Sequence, residues 1–147
     1  MHDRAAKAYR SAIASSSSSL HTLLFLYDMM IAHLLRARDG QERGQLDTCF
    51  CALRDASRIA LALPTTLDRA RAGRLGPILE RFYLALSYRI IRLSRRGQAL
   101  AQFDRVIDEL RSVRATWQEV SRLTSGRVDI ASTVADRPDG SFKAVNG

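Results

Sequence analysis

The clearest structural signal in the chain is the stretch at residues 98–123, which reads QALAQFDRVIDELRSVRATWQEVSRL. Its large apolar side chains recur every three or four residues, the spacing that places them on one face of an α-helix. Charged and polar side chains occupy the opposite face, where Arg105 and Glu109 stand one turn apart. Such a one-sided helix needs apolar partners to cover its stripe. The stripe comprises Leu100, Phe103, Ile107, Leu110, Val113, Trp117 and Val120.

Three further helices are predicted before this one. The first covers 19–37, with a serine run that offers N-caps and Gly40 as its stop. The second covers 43–63, and the third begins near Pro77 and stops before Gly97. Helices of this length are each about 30 Å long. Joined by short connections, they predict an all-α, antiparallel four-helix bundle.

The core-facing side of each of these helices is predicted from its main apolar stripe. Cys49 falls on the core side of the second helix, whereas Cys51 points about 200° away from it, so we expect the two neither to pair nor to hold a metal together. The predicted stripes are Leu20, Leu23, Leu24, Tyr27, Met30, Ile31 and Leu34; Leu46, Cys49, Phe50, Leu53 and Ala60; and Ile78, Leu79, Phe82, Leu86, Ile90 and Leu93.

The bundle takes up most of the 147 residues. The polar residues 1–16 predict an N-terminal arm, 17–123 the bundle, and 124–147, which lack periodicity, a flexible tail. The arm contains no apolar run that resembles a secretory signal. The most apolar stretch, 23–35, is too short to cross a bilayer. We therefore expect no membrane insertion and a cytoplasmic location.

The first three helices carry more apolar surface than one bundle interior absorbs. The extra residues lie away from the main stripes, and something must cover them. The arm, the long connection or the tail could pack over them, the protein could dimerise, or they could form a groove for amphipathic segments of another protein. The residues are Phe25, Leu26 and Met29; Ala52, Ala56, Ile59 and Leu63; and Leu84, Tyr88 and Ile91.

The chain is strongly basic, with 23 Lys and Arg residues against 15 acidic ones and a net charge of +8. A basic balance is one mark of nucleic-acid binding. The basic residues, nearly all arginine, are nevertheless spread along every segment instead of forming one stripe. A solvated basic surface is therefore favoured over a nucleic-acid site. A basic surface would also raise the rate of association with an acidic protein client, because opposite charges attract.

No catalytic or cofactor-binding arrangement is evident. The three histidines lack metal-ligand spacing with cysteine or acidic partners. No glycine-rich loop carries the lysine of a phosphate-binding site, and the serine run lacks a base. Asp28 lies within an apolar helix and needs a partner, for which Arg89 is a candidate. We expect no enzyme activity, no cofactor and no metal.

Four segments resemble motifs of one protein family in order and spacing. Residues 24–28, LFLYD, are similar to the first-helix LxLYDG motif of the FliS family. Residues 8–10, AYR, look like its N-terminal element, and 67–89 are similar to its third-helix pattern. Residues 106–117 resemble its closing VixlLxxLRxaW helix. The resemblance covers about residues 8–120, with Met29 in place of the family's glycine after Tyr-Asp.

The resemblance implies a cytoplasmic chaperone that binds the C-terminal region of flagellin, keeps it unpolymerised and passes it to the export apparatus. It also gives Tyr9 a role near the client. Regulatory proteins are further possible partners, and a monomer or weak homodimer is expected. The alternatives are a basic regulatory protein that binds nucleic acid, a dimerising bundle without a client, and a relative with another client. The candidate flagellin-binding residues are Tyr9, Phe25, Leu26, Met29, Ile59, Leu63, Leu84, Tyr88 and Ile91.

Overall fold

The computed structural model describes residues 17–66, 73–95 and 97–135, and every regular element in these ranges is helical. Four α-helices pack against one another, so the predicted all-α four-helix bundle is confirmed. A short 3₁₀ helix continues the second α-helix. The elements are α1 (Ser17–Glu42), α2 (Leu46–Ala62), the 3₁₀ helix (Leu63–Thr66), α3 (Leu75–Arg92) and α4 (Leu100–Ala135).

Helix α1 lies between two partners. It packs chiefly against α2 and α4, while α3 packs chiefly against α2. Side-chain pairs show that α1 and α4 run antiparallel, because Arg38 near the end of α1 bonds Asp104 near the start of α4. The largest fully buried side chains come from all four helices and the 3₁₀ helix. They include Tyr27, Leu53, Leu63, Tyr83, Phe103 and Ile107.

Two buried tyrosines join α1 to α3 through the core. The hydroxyls of Tyr27 and Tyr83 lie 3.0 Å apart and hydrogen-bond. Burial raises the pKa of Tyr27 far above its ordinary value of 10, and the neighbouring Tyr83 raises it further. The neighbouring Trp117 acts on the pKa in the opposite direction. The Tyr27 hydroxyl therefore stays neutral, and its polar atom is satisfied inside the core.

The prediction that α1 stops at Gly40 is wrong, because the helix continues to Glu42. Gly40 is buried, and a Cβ at this position would lie 3.0 Å from the backbone nitrogen of Cys49 and 3.1 Å from the carbonyl oxygen of Gln45. Its role is therefore to let α1 and α2 approach closely. The terminating residue is Gly44, whose φ is 70°. The Gln45 amide donates to the Gly40 oxygen at 2.8 Å and closes the turn.

We expect Gly44→Ala to lower the free energy of unfolding by about 1 kcal/mol, because a Cβ disfavours the left-handed conformation at this helix end. Urea unfolding followed by circular dichroism measures the change. Gly44→Asn is the matched control and should lose less, since asparagine tolerates this conformation better. Equal stability of Gly44→Ala and the unmodified protein would contradict the assignment of Gly44 as the helix stop.

Helix α4 extends twelve residues beyond its predicted end at Leu123, up to Ala135. The predicted helix end at Leu123 is therefore wrong, whereas the division into arm, bundle and tail stays a prediction. Loss of apolar periodicity does not by itself end a helix, because a helix needs no apolar stripe to continue, and the next proline is Pro138. The predicted arm at 1–16 and the remainder of the tail at 136–147 lie outside the described residues. Within the described ranges, no helix combines the length and apolarity that a membrane span requires.

The buried side of α2 also differs from the prediction. Leu46 and Phe50, predicted to face the core, are more than half exposed, whereas Ala52 and Ala56 are fully buried. Helix α2 packs against both α1 and α3. Small side chains allow the helix axes to come close, so the alanines occupy the contact and the larger residues are displaced to its flank. The buried residues of α2 are Cys49, Ala52, Leu53, Ala56, Ser57 and Ala60.

Candidate protein-binding surface

Five of the candidate residues are exposed in the folded protein. Phe25 and Met29 on α1 expose 61% and 37% of their surface. Leu84, Tyr88 and Ile91 on α3 expose 62%, 61% and 38%. Exposure of large apolar side chains to water is unfavourable, and contact with another apolar surface would remove this cost. Among the described residues, the bundle therefore leaves these five side chains available for a partner.

The other four candidates differ from these five. Leu26 and Ile59 are half-buried and pack against the core. Leu63 is fully buried, so it is a core residue and cannot touch a partner while the fold is intact. Its assignment to a surface stripe was wrong because the 3₁₀ helix packs against α1, α2 and α3. Tyr9 lies outside the described residues and its role stays a prediction.

The exposed residues on α3 share a surface with α2. The hydroxyls of Ser57 on α2 and Ser87 on α3 hydrogen-bond at 2.6 Å, which marks the sides of the two helices that face each other. Residues three, four, seven or eleven positions from these serines lie on the same side of their helices. On α2 these positions hold the exposed side chains of Leu46, Phe50 and Leu61. On α3 they hold Leu84 and Ile91, and Tyr88 lies one turn after Leu84. We call Leu46, Phe50, Leu61, Leu84, Tyr88 and Ile91 the α2–α3 face.

The exposed residues on α1 form a separate surface. Gly40 marks the side of α1 that meets α2, and Met29 lies eleven residues before it, about 20° away around the helix. Ile59 follows Ser57 by two residues and therefore lies about 200° from the side of α2 that faces α3. The predicted single groove is thus two surfaces on opposite flanks of α2. We call Phe25, Leu26, Met29 and Ile59 the α1–α2 face.

Three residues of the α2–α3 face were missed by the sequence reasoning. Leu46 and Phe50 were assigned to the core, and Leu61 was not considered. A usable signal was present, because alanines at positions 52, 56 and 60 recur at helical spacing. A stripe of small residues indicates the side on which another helix approaches closely. With that stripe assigned to the core, Leu46, Phe50 and Leu61 fall on the flank of α2.

Ion pairs join α4 to α1 and to α3. The prediction that Asp28 pairs with Arg89 is wrong: Arg114 of α4 bonds both carboxylate oxygens of Asp28, and Arg89 bonds both oxygens of Glu109 at 3.0 and 2.6 Å. Asp28 therefore lies on the side of α1 that faces α4. The hydrogen bond with Arg89 lowers the pKa of Glu109 below its ordinary value of 4.5.

Much of the positive charge is compensated locally. Arginines on all four helices pair with nearby carboxylates, and most of these pairs are exposed, so each contributes little to stability. A nucleic-acid site requires instead a cluster of basic groups free to meet phosphates. The dispersed pairs therefore weigh against the nucleic-acid alternative. The arginines paired in this way are Arg38, Arg43, Arg54, Arg89, Arg111, Arg114 and Arg122.

The family comparison is decisive for the class of the protein. A family model described as flagellar protein FliS matches residues 1–124. The chain belongs to the FliS family. FliS proteins are flagellar export chaperones and not a family of enzymes. The predicted resemblance to this family is confirmed. No curated protein and no solved structure gives a significant match to the chain.

Proposed function

We propose that this FliS protein is a cytoplasmic chaperone that binds the C-terminal region of flagellin. It holds that region unpolymerised and passes it to the export apparatus. The observation that carries the proposal is the exposure of Phe25, Met29, Leu84, Tyr88 and Ile91 on a folded bundle. Amphipathic helices bind to such faces through apolar residues at successive turns. Family membership supplies the flagellar context, and the exposed faces supply the contact surface.

The arrangement of the faces favours a client with more than one amphipathic segment. The α1–α2 face and the α2–α3 face lie on opposite flanks of α2, so one straight helix cannot cover both. A client that wraps around α2 buries both faces with two segments. Apolar burial supplies the affinity, because each fully buried large side chain contributes about 1.5–3 kcal/mol before ordering costs.

Leu84→Asp and Tyr88→Asp should each weaken binding of the flagellin C-terminal segment by about tenfold or more. Both place a charge in the centre of the α2–α3 face, where binding would remove it from water. Isothermal titration with the purified segment measures the change. Leu123→Asp is the matched control, since Leu123 is 54% exposed but lies on α4. Its affinity for the flagellin segment should stay within about twofold of that of the unmodified protein.

Three results would contradict the proposal. The first is full affinity in both α3 variants, which would remove the α2–α3 face from the client site. The second is a stable dimer in light scattering that persists when excess flagellin segment is added, as a dimerising bundle without a client requires. The third is preferential binding of a duplex oligonucleotide with a steep salt dependence, which marks phosphate contacts.

A further inference from the structure

A basic cleft lies between α3 and α4, on the side of α3 turned away from α2. Helix α3 packs chiefly on α2 and α4 chiefly on α1, so this side of the bundle stays open, and the Arg89–Glu109 pair spans it. The cleft encloses about 250 Å³. Its rim carries guanidinium and amide groups over an apolar floor. The lining residues are Arg89, Arg92, Leu93, Gln98, Gln102, Arg105 and Val106.

The arginines of the cleft differ in what they already bind. Arg89 is held by Glu109 through two hydrogen bonds. Neither Arg92 nor Arg105 forms an ion pair within the described ranges. Arg92 instead lies over the ring of Tyr88, 5.8 Å from its centre. The guanidinium groups of Arg92 and Arg105 are therefore available to bind a carboxylate. Arg89 beside them already shows the preferred geometry, with two hydrogen bonds to one carboxylate.

We propose that this cleft is a second binding site, which takes an acidic segment of a protein partner and binds carboxylate side chains through Arg92 and Arg105. The planar guanidinium fork matches a carboxylate with two parallel hydrogen bonds. Gln98 and Gln102 supply amide donors beside it, and Leu93 and Val106 contact the aliphatic parts of the acidic side chains. The site adjoins the α2–α3 face, because Arg92 lies over the ring of Tyr88. Its lining residues belong to neither apolar face, and the proposal does not depend on the proposed flagellin contact.

Fluorescence anisotropy of a labelled hexaglutamate peptide at low ionic strength tests the site. The variant R92Q/R105Q should bind the peptide at least about tenfold more weakly than the unmodified protein, since it loses the charge-assisted hydrogen bonds to the carboxylates. The matched control R58Q/R111Q removes the same net charge from exposed positions on α2 and α4 outside the cleft. Its affinity for the peptide should stay within about twofold of that of the unmodified protein. R92K/R105K keeps the charge but loses the fork and should fall between them.

Several outcomes would overturn the proposal. Equal loss in R92Q/R105Q and R58Q/R111Q would show that the peptide responds to net charge alone. Absence of hexaglutamate binding would remove the site. Tighter binding of a six-nucleotide oligothymidylate than of hexaglutamate, lost in R92Q/R105Q, would make the cleft a nucleic-acid site instead. Leu84→Asp should leave hexaglutamate binding unchanged, so that failure of the cleft and failure of the flagellin surface are distinguishable.

Discussion

Phe103→Ala will lower the free energy of unfolding by about 3–5 kcal/mol, the range found when a fully buried aromatic ring is replaced by a methyl group. Phe103 has no exposed surface and lies in the first turns of α4, next to Asp104, which bonds Arg38 of α1. Its removal leaves a cavity between α4 and its neighbours that rigid helices cannot fill completely. Denaturant unfolding in urea, monitored by circular dichroism, measures the loss.

Phe50→Ala is the matched control for this change. Both phenylalanines were predicted to face the core, but Phe50 is 54% exposed on the flank of α2. The same truncation at Phe50 should therefore change the free energy of unfolding by no more than about 0.5 kcal/mol. Comparable losses at Phe50 and Phe103 would contradict the position of α2 and, with it, the α2–α3 face.

Leu63→Asp will destabilise the protein by about 4 kcal/mol or more, because it removes a fully buried side chain and places a carboxylate where the bundle offers no water. Burial raises the pKa of such a carboxyl group, so the penalty is largest near neutral pH and shrinks in acid, where the group is protonated. Urea unfolding at neutral pH and at about pH 4 measures both effects.

Leu61→Asp, two residues earlier, tests the same helix end on its exposed side. Leu61 is 50% exposed and belongs to the α2–α3 face, so the change should cost less than about 1 kcal/mol. We expect this variant to fold and to lose flagellin affinity, whereas Leu63→Asp loses affinity through loss of fold. Equal stability of the two variants would contradict the burial of Leu63.

Helical spacing in the sequence was sufficient to predict the four helices and the core stripe of α4. Residues three and four apart meet on one side of any α-helix, whatever surrounds it, so this information is local. The excess of apolar residues on α1 and α3 is local for the same reason. The exposure of Phe25, Leu84 and Tyr88 therefore agrees with the pattern seen in the sequence.

Other features depended on the neighbours that each helix acquires in the tertiary structure. Whether Phe50 or Ala56 faces the core depends on how closely α1 and α3 approach α2. The partner of Asp28 lies 86 residues away at Arg114, on a helix that only the packing order brings to that side of α1. Periodicity ranks the sides of one helix but carries no information about which other helix lies against them. For that reason the sequence determined the helices and their apolar surplus, and the tertiary structure decided that the surplus forms two faces, one on each flank of α2.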